Sequence, residues 1–128
     1  MILGTGIDLV DVRRIEKLYK RFPSRFMERV FTEAEAEYIY SRKKSIYPLL
    51  AARFAAKEAT LKALGCGIGP ASLKEVEVIS MPGKAPQIKL HGNAAQIAAR
   101  QVVGEILVSL THEKHMACAQ VTTLKAPK

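Results

Sequence analysis

The sequence predicts a single α+β domain spanning residues 1–128, in the order β-α-α-α-β-β-α-β-β, with a largely antiparallel sheet packed on a long central helix. Three observations lead there. The chain opens on a short, apolar, glycine-containing stretch; it continues through segments with helical spacing of apolar residues; and it closes on short β-type segments. No strand–helix–strand alternation runs through it, which argues against a doubly wound parallel sheet. With 48% hydrophobic and 25% charged residues, a chain of 128 can bury about two-thirds of its unfolded surface in one core, so disorder is excluded.

The opening strand covers Ile2 to Val10, where alternation puts Leu3, Thr5, Ile7 and Leu9 on one face and Gly4, Gly6 and Asp8 on the other. Asp11 then caps a helix with Val12, Ile15, Leu18 and Phe22 at helical spacing, which Pro23 stops. Arg13, Arg14, Lys17, Lys20 and Arg21 lie on its exposed side. Thr32 and Glu35 form the capping-box pattern at the start of a short helix that runs towards the basic cluster Arg42-Lys43-Lys44. The longest helix begins near Tyr47, tolerates Pro48 in its first turn, and ends at Gly65 as its cap. After the loop Gly65-Cys66-Gly67-Ile68-Gly69-Pro70, Val76, Val78 and Ile79 mark a strand closed by Met81-Pro82-Gly83-Lys84. Ile88 and Leu90 mark another, Asn93 caps a small helix from Ala94 to Arg100, and Ile106–Leu110 with Ala117–Val121 make a last hairpin around His112-Glu113-Lys114.

Twenty Lys and Arg against twelve Asp and Glu give a net charge of +8, so the surface attracts acidic partners: nucleic acid, an anionic membrane, a phosphorylated small molecule or an acidic protein. Cys66 and Cys118 are far apart and have no neighbouring Cys/His cluster, which argues against a zinc site or a disulfide scaffold and fits a reducing compartment. Asp8 interrupts the opening apolar stretch too early for a signal peptide, and no apolar run approaches the roughly 20 residues that span a bilayer. A cytoplasmic protein is expected.

Two carboxylates stand out. Glu58 shares a helical stripe with Leu50, Phe54 and Leu61, and its plain reading is an ion pair with Lys62 one turn on. Asp8 sits in a strand, where Asp is depleted, and on the two-glycine face, where another group can approach closely; its plain reading is a strand-end cap. Together with a lysine they suit a hard divalent cation such as Mg2+, which takes one or two protein carboxylates and completes its shell with water and phosphate oxygens. Lys62 would clamp phosphate, and the Gly65–Gly69 loop would offer backbone N–H groups, although it has neither the P-loop nor the dinucleotide pattern. His112, read as a turn residue, is either a solvated polar side chain or a catalyst. The seven basic residues between Arg13 and Arg29 are either a solvated face or a docking surface for an acidic partner.

Several segments carry a family resemblance. Gly6-Ile7-Asp8-Leu9-Val10 with Arg14-Ile15, Glu28-Arg29-Val30-Phe31-Thr32, Arg53-Phe54-Ala55-Ala56-Lys57-Glu58-Ala59 with Lys62-Ala63-Leu64-Gly65, and Ser109-Leu110-Thr111-His112 with Ala117-Cys118-Ala119 resemble the holo-[acyl-carrier-protein] synthases, the small phosphopantetheinyl transferases. The resemblance runs from residue 1 to about residue 122 in family order and spacing. It implies transfer of 4′-phosphopantetheine from coenzyme A to a serine of an apo acyl carrier protein, with release of adenosine 3′,5′-bisphosphate. It also implies that Asp8 and Glu58 hold Mg2+ against the pyrophosphate and that Lys62 neutralises phosphate. Arg53, His112 and the loop residues Gly65, Gly67, Ile68 and Gly69 would seat coenzyme A, and Arg14, Arg21 and Arg25 would face the acidic carrier. Family members are homotrimers with sites at subunit interfaces, so some of these residues would serve a neighbour's site. Glu58, His112 and a metal-bound water remain alternatives for the group that takes the serine proton.

Two other classes fit parts of the sequence. A basic nucleic-acid-binding module using the helix from Asp11 to Phe22 explains the charge, but it leaves Asp8 and Glu58 without a role and has only 6% aromatic residues for stacking. A metal-dependent phosphohydrolase would use the same carboxylates with water as nucleophile.

Overall fold

In the computed structural model, which describes residues 1–42 and 44–128, strand β1 (Ile2–Asp11) pairs antiparallel with the last strand of the chain. Lys43, in the middle of the Arg42-Lys43-Lys44 cluster, lies outside the described residues. Four helices follow β1: α1 (Val12–Arg21), α2 (Pro23–Val30), α3 (Glu33–Ser41) and α4 (Tyr47–Ala63). A 3-10 turn (Leu73–Glu75), strands β2 (Val76–Ile79) and β3 (Gln87–Leu90), helix α5 (Gly92–Arg100) and strands β4 (Val103–His112) and β5 (Met116–Lys125) complete the chain. The strands form two antiparallel sheets, β1-β5-β4 and β2-β3. The α+β architecture with the sheet packed on the longest helix agrees with the sequence, and among the described residues no helix is long and apolar enough to cross a membrane.

Three local expectations are corrected. Pro23 ends one helix and also begins another: a proline's fixed φ and missing N–H suit the first helical position, and α2 starts there. Met27 and Val30 of α2 are buried, and Phe26 stacks edge-on with Tyr19 and Phe31, so tertiary packing sustains a helix of eight residues. Helix α5 starts at Gly92 with His91 as its cap, not at Ala94 with Asn93 as its cap; the carboxylate of Glu75, eighteen residues earlier, accepts from the Asn93 N–H at 2.6 Å. His112 is the last residue of β4, paired with Ala117, and the turn lies beyond it, because the closing hairpin extends further than its apolar core suggests.

The main contact of the fold is backbone against backbone. Gly4 and Gly6 face α4, and a Cβ on Gly6 would strike the Ala59 carbonyl oxygen and lie 2.8 Å from the Ala63 nitrogen. Alanines at 51, 52, 55, 56, 59 and 63 give α4 a flat, buried surface that can come this close. Gly6→Ala should therefore destabilise the domain by about 2 kcal/mol or more, since a backbone atom cannot rotate away as a side chain would. The check is a fall in urea midpoint at unchanged slope. The opposite face of the sheet leaves Ile7 63%, Leu9 65% and Leu107 47% exposed.

A buried ion pair ties α3 and α4 to the second sheet. Lys57 is fully buried, and its Nζ donates to Glu35 Oε1 at 2.8 Å, to the Val76 carbonyl at 2.5 Å and to the Leu73 carbonyl at 3.2 Å, which uses all three ammonium protons. Glu35 also accepts from the Val78 N–H and, as the capping-box partner, from the Thr32 N–H. The sequence showed only the capping box.

Candidate active site

Asp8 reaches the junction of β1 and α4 because the glycine face of the strand lies against the helix. Its side chain is 10% exposed; Oδ1 accepts from Lys62 Nζ at 2.9 Å, and Oδ2 is buried without a hydrogen-bond partner. Lys62 also donates to the Ile7 carbonyl at 3.0 Å. The lysine thus crosses to the strand instead of pairing with Glu58 one turn back, so the plain local reading of Glu58 does not hold. Burial and the charge of Asp8 raise the Glu58 carboxyl above its usual pKa, against the lowering influence of Lys62 and Arg14. The hydrogen bond from Lys62 to Asp8 raises the ammonium pKa. Arg14, expected to face a carrier, is therefore also near enough to act on Glu58.

The carboxylate pair fits a hard cation. An unpartnered buried oxygen on Asp8 and a second carboxylate disfavoured by burial are what a divalent ion would relieve, and both are oxygen donors of the kind Mg2+ takes. Among the described residues no cluster of three or more His, Cys, Asp or Glu is placed to hold a metal, so a cation here would keep several positions for water or ligand oxygens.

Arg53 and His112 meet elsewhere. They line an open cleft of about 260 Å³ together with Tyr38, Ser80, Lys84 and Pro86, and neither Asp8, Glu58 nor Lys62 borders it. The guanidinium of Arg53 stacks 4.8 Å from the Tyr38 ring, donates to Ser80, and keeps a buried Nε without a partner. Lys84 and Tyr38 were not legible as site residues: one sits in a Pro-Gly turn and the other on a short helix, with nothing local to bring them to Arg53. The Gly65–Gly69 loop begins as the α4 cap, with Gly65 at φ +73° and its N–H bonded to the Lys62 carbonyl while Cys66 N–H reaches the Leu61 carbonyl. Gly67 and Gly69 are also at positive φ, and Ile68 is 64% exposed. On α1 and α2, Arg21 and Arg25 each lie 5.5 Å from the Phe22 ring, beside an open groove lined by Leu18, Phe22, Phe26 and the buried Val30.

Residues 4–119 match the profile of the 4′-phosphopantetheinyl transferase superfamily. The chain belongs to this family. The holo-[acyl-carrier-protein] synthase of Carboxydothermus hydrogenoformans is 47% identical over 91% of this chain and 93% of its own length. The crystal structure of the holo-[acyl-carrier-protein] synthase from Neisseria meningitidis superposes with a TM-score of 0.87 at 31% identity, covering 98% of this chain and 100% of that one. The enzyme of Bacillus anthracis, solved in complex with CoA (3′,5′-ADP), superposes with a TM-score of 0.81 at 34% identity, covering 98% and 99%. The family assignment makes the chain a 4′-phosphopantetheinyl transferase, and the α+β fold is that of its structural neighbours.

Proposed function

We propose that this transferase moves 4′-phosphopantetheine from coenzyme A to a serine hydroxyl of an acyl carrier protein, with Mg2+ held by Asp8 and Glu58. The observation that carries this reading is the carboxylate pair beside Lys62, with one buried oxygen of Asp8 unpartnered. The serine oxygen attacks the pantetheine-bearing phosphorus and gives up its proton to Glu58, His112 or water; the bond to the second phosphate breaks, and adenosine 3′,5′-bisphosphate leaves with the bonding electrons. The cation, when bound, neutralises pyrophosphate charge as it develops. Lys62 adds a second positive charge to the phosphates, and the Gly65–Gly69 loop helps seat coenzyme A by its shape and the exposed Ile68, not by the expected row of free donors, since the N–H groups of Gly65, Gly67 and Gly69 are bonded to the Lys62, Leu61 and Ala71 carbonyls. Arg53 and His112, with Lys84, hold the nucleotide end. These two groups of residues are separate within one chain, and the exposed apolar face of Ile7, Leu9 and Leu107 gives a surface on which copies can pack. Both features support a homotrimer with each site shared between neighbours.

Purified protein given coenzyme A, Mg2+ and an apo acyl carrier protein should increase the carrier's mass by one phosphopantetheine. Chelating the metal, or replacing the acceptor serine by alanine, should abolish the shift. Loss of coenzyme A without a mass shift would make the protein a hydrolase; neither change would leave a non-catalytic basic module.

The acidic carrier docks on α1 and α2, where Arg25 lines the Leu18–Phe22 groove, Arg21 lies against the Phe22 ring, and Arg14 borders the adjoining surface beside Leu18. Arg21→Glu should lower kcat/KM for the carrier by about tenfold and flatten its salt dependence, with the KM for coenzyme A unchanged. Equal weakening for both substrates would place Arg21 in the nucleotide site instead.

A further inference from the structure

We infer that Lys62 and the divalent cation compete for Asp8, so that cation binding is what releases Lys62 to meet the phosphates. This rests on the reading of Asp8 and Glu58 as the metal pair and adds a positioning role for the lysine. The ammonium is fixed by two acceptors, Asp8 Oδ1 at 2.9 Å and the Ile7 carbonyl at 3.0 Å, both on the edge of β1. Any metal would share that carboxylate with it: Oδ1 holds the ammonium, and Oδ2, buried and without a partner, is the oxygen left for the ion. The ammonium thus keeps the carboxylate aimed across the strand–helix junction and places a full positive charge on the group that would hold the cation. A divalent ion and an ammonium on the same carboxylate repel each other, and only one of them is mobile: Lys62 is 52% exposed and sits in the last turn of α4 on a flexible four-carbon stem. Glu58, one helical turn away, offers the displaced lysine no fixed alternative partner, since that carboxylate is itself taken up by the cation. The freed ammonium turns to an anionic ligand. Cation and coenzyme A therefore favour each other's binding, by the same factor in each direction.

Lysine side-chain NMR on the protein tests this, with the Lys62 Cε–Hε signal identified by its loss in Lys62→Met. In the wild-type chain the signal should be restrained, and Mg2+ alone, without coenzyme A, should move it to the position of a free lysine. Asp8→Asn should produce that free signal without Mg2+. Calorimetry should find Mg2+ bound about two- to fivefold more tightly by Lys62→Met than by wild type, the scale of one exposed ion pair. A Lys62 signal unmoved by Mg2+ that calorimetry shows to be bound overturns the proposal and leaves the metal pair intact, as does an affinity in Lys62→Met no higher than wild type. Absence of Mg2+ binding by both proteins overturns the metal pair, and the proposal falls with it.

Discussion

Asp8→Ala and Glu58→Ala should each reduce phosphopantetheine transfer by about a thousandfold or more at saturating Mg2+. Several kcal/mol of charge stabilisation are at stake when a bound cation is lost, and each 1.36 kcal/mol is about a factor of ten in rate. The fold should survive both changes. Glu58 sits where burial and Asp8 already disfavour its charge, so removing it relieves the folded state, and Asp8→Ala loses a pair with a half-exposed lysine worth about 1 kcal/mol or less. Because the two carboxylates act on one ion, the double variant should be little worse than either single one. Carrier mass shift against time, beside a thermal melt, checks both halves; partial, additive losses would mean that the carboxylates do not share a cation.

The largest effect on stability is expected at Lys57. Lys57→Met should cost about 3–5 kcal/mol, because it leaves the Glu35 carboxylate buried without its counter-charge and strips the Leu73 and Val76 carbonyls of a donor. Burial, with a smaller contribution from the Arg53 charge, lowers the Lys57 pKa, and Glu35 is the chief group that opposes this. A domain of this size is stable by about 5–15 kcal/mol, so the variant should lose a large share of its stability. The double variant Lys57→Met with Glu35→Gln should recover part of the loss, since neither residue then carries an unpaired charge. Urea unfolding of the single and double variants measures the coupling. A cost under about 1 kcal/mol would show that the pair contributes no more than an exposed one. The same substitution should weaken coenzyme A binding, because β2 leads to Ser80, which Arg53 engages at the cleft.

What could be read from the sequence followed sequence distance. Asp8 and Glu58 were conspicuous as acids among glycines and apolar residues, Thr32 and Glu35 as a capping box, and Gly65 as a helix end; each signal lies within a few positions. The plain pairing of Lys62 with Glu58 does not form, because the lysine's partner Asp8 lies 54 residues away, beyond the reach of any local pattern. Lys57 gave no signal at all, since its partner stands 22 residues earlier, on another helix. Pro23 was read as a stop because a proline terminates the helix before it, and its equal fitness to begin one depends on what Met27 and Val30 pack against. The division into two sheets, and the meeting of Arg53 with Tyr38 and Lys84, depend on tertiary contacts that no local pattern encodes.

The two glycines of β1 also decide which way the strand can pair. Side chains alternate across a strand, so slipping β1 by one residue along β5 would turn Ile7 or Thr5 towards α4 and Asp8 to the outer face. The helix backbone leaves no room there even for a methyl group. The misaligned chain would have to give up the helix contact and with it the core, so the slipped pairing is excluded sterically and not merely disfavoured. Asp8 is thereby committed to the Lys62 side of the sheet as soon as the strand docks on the helix. The orientation of the acidic group is thus selected during folding by two residues that have no side chain of their own.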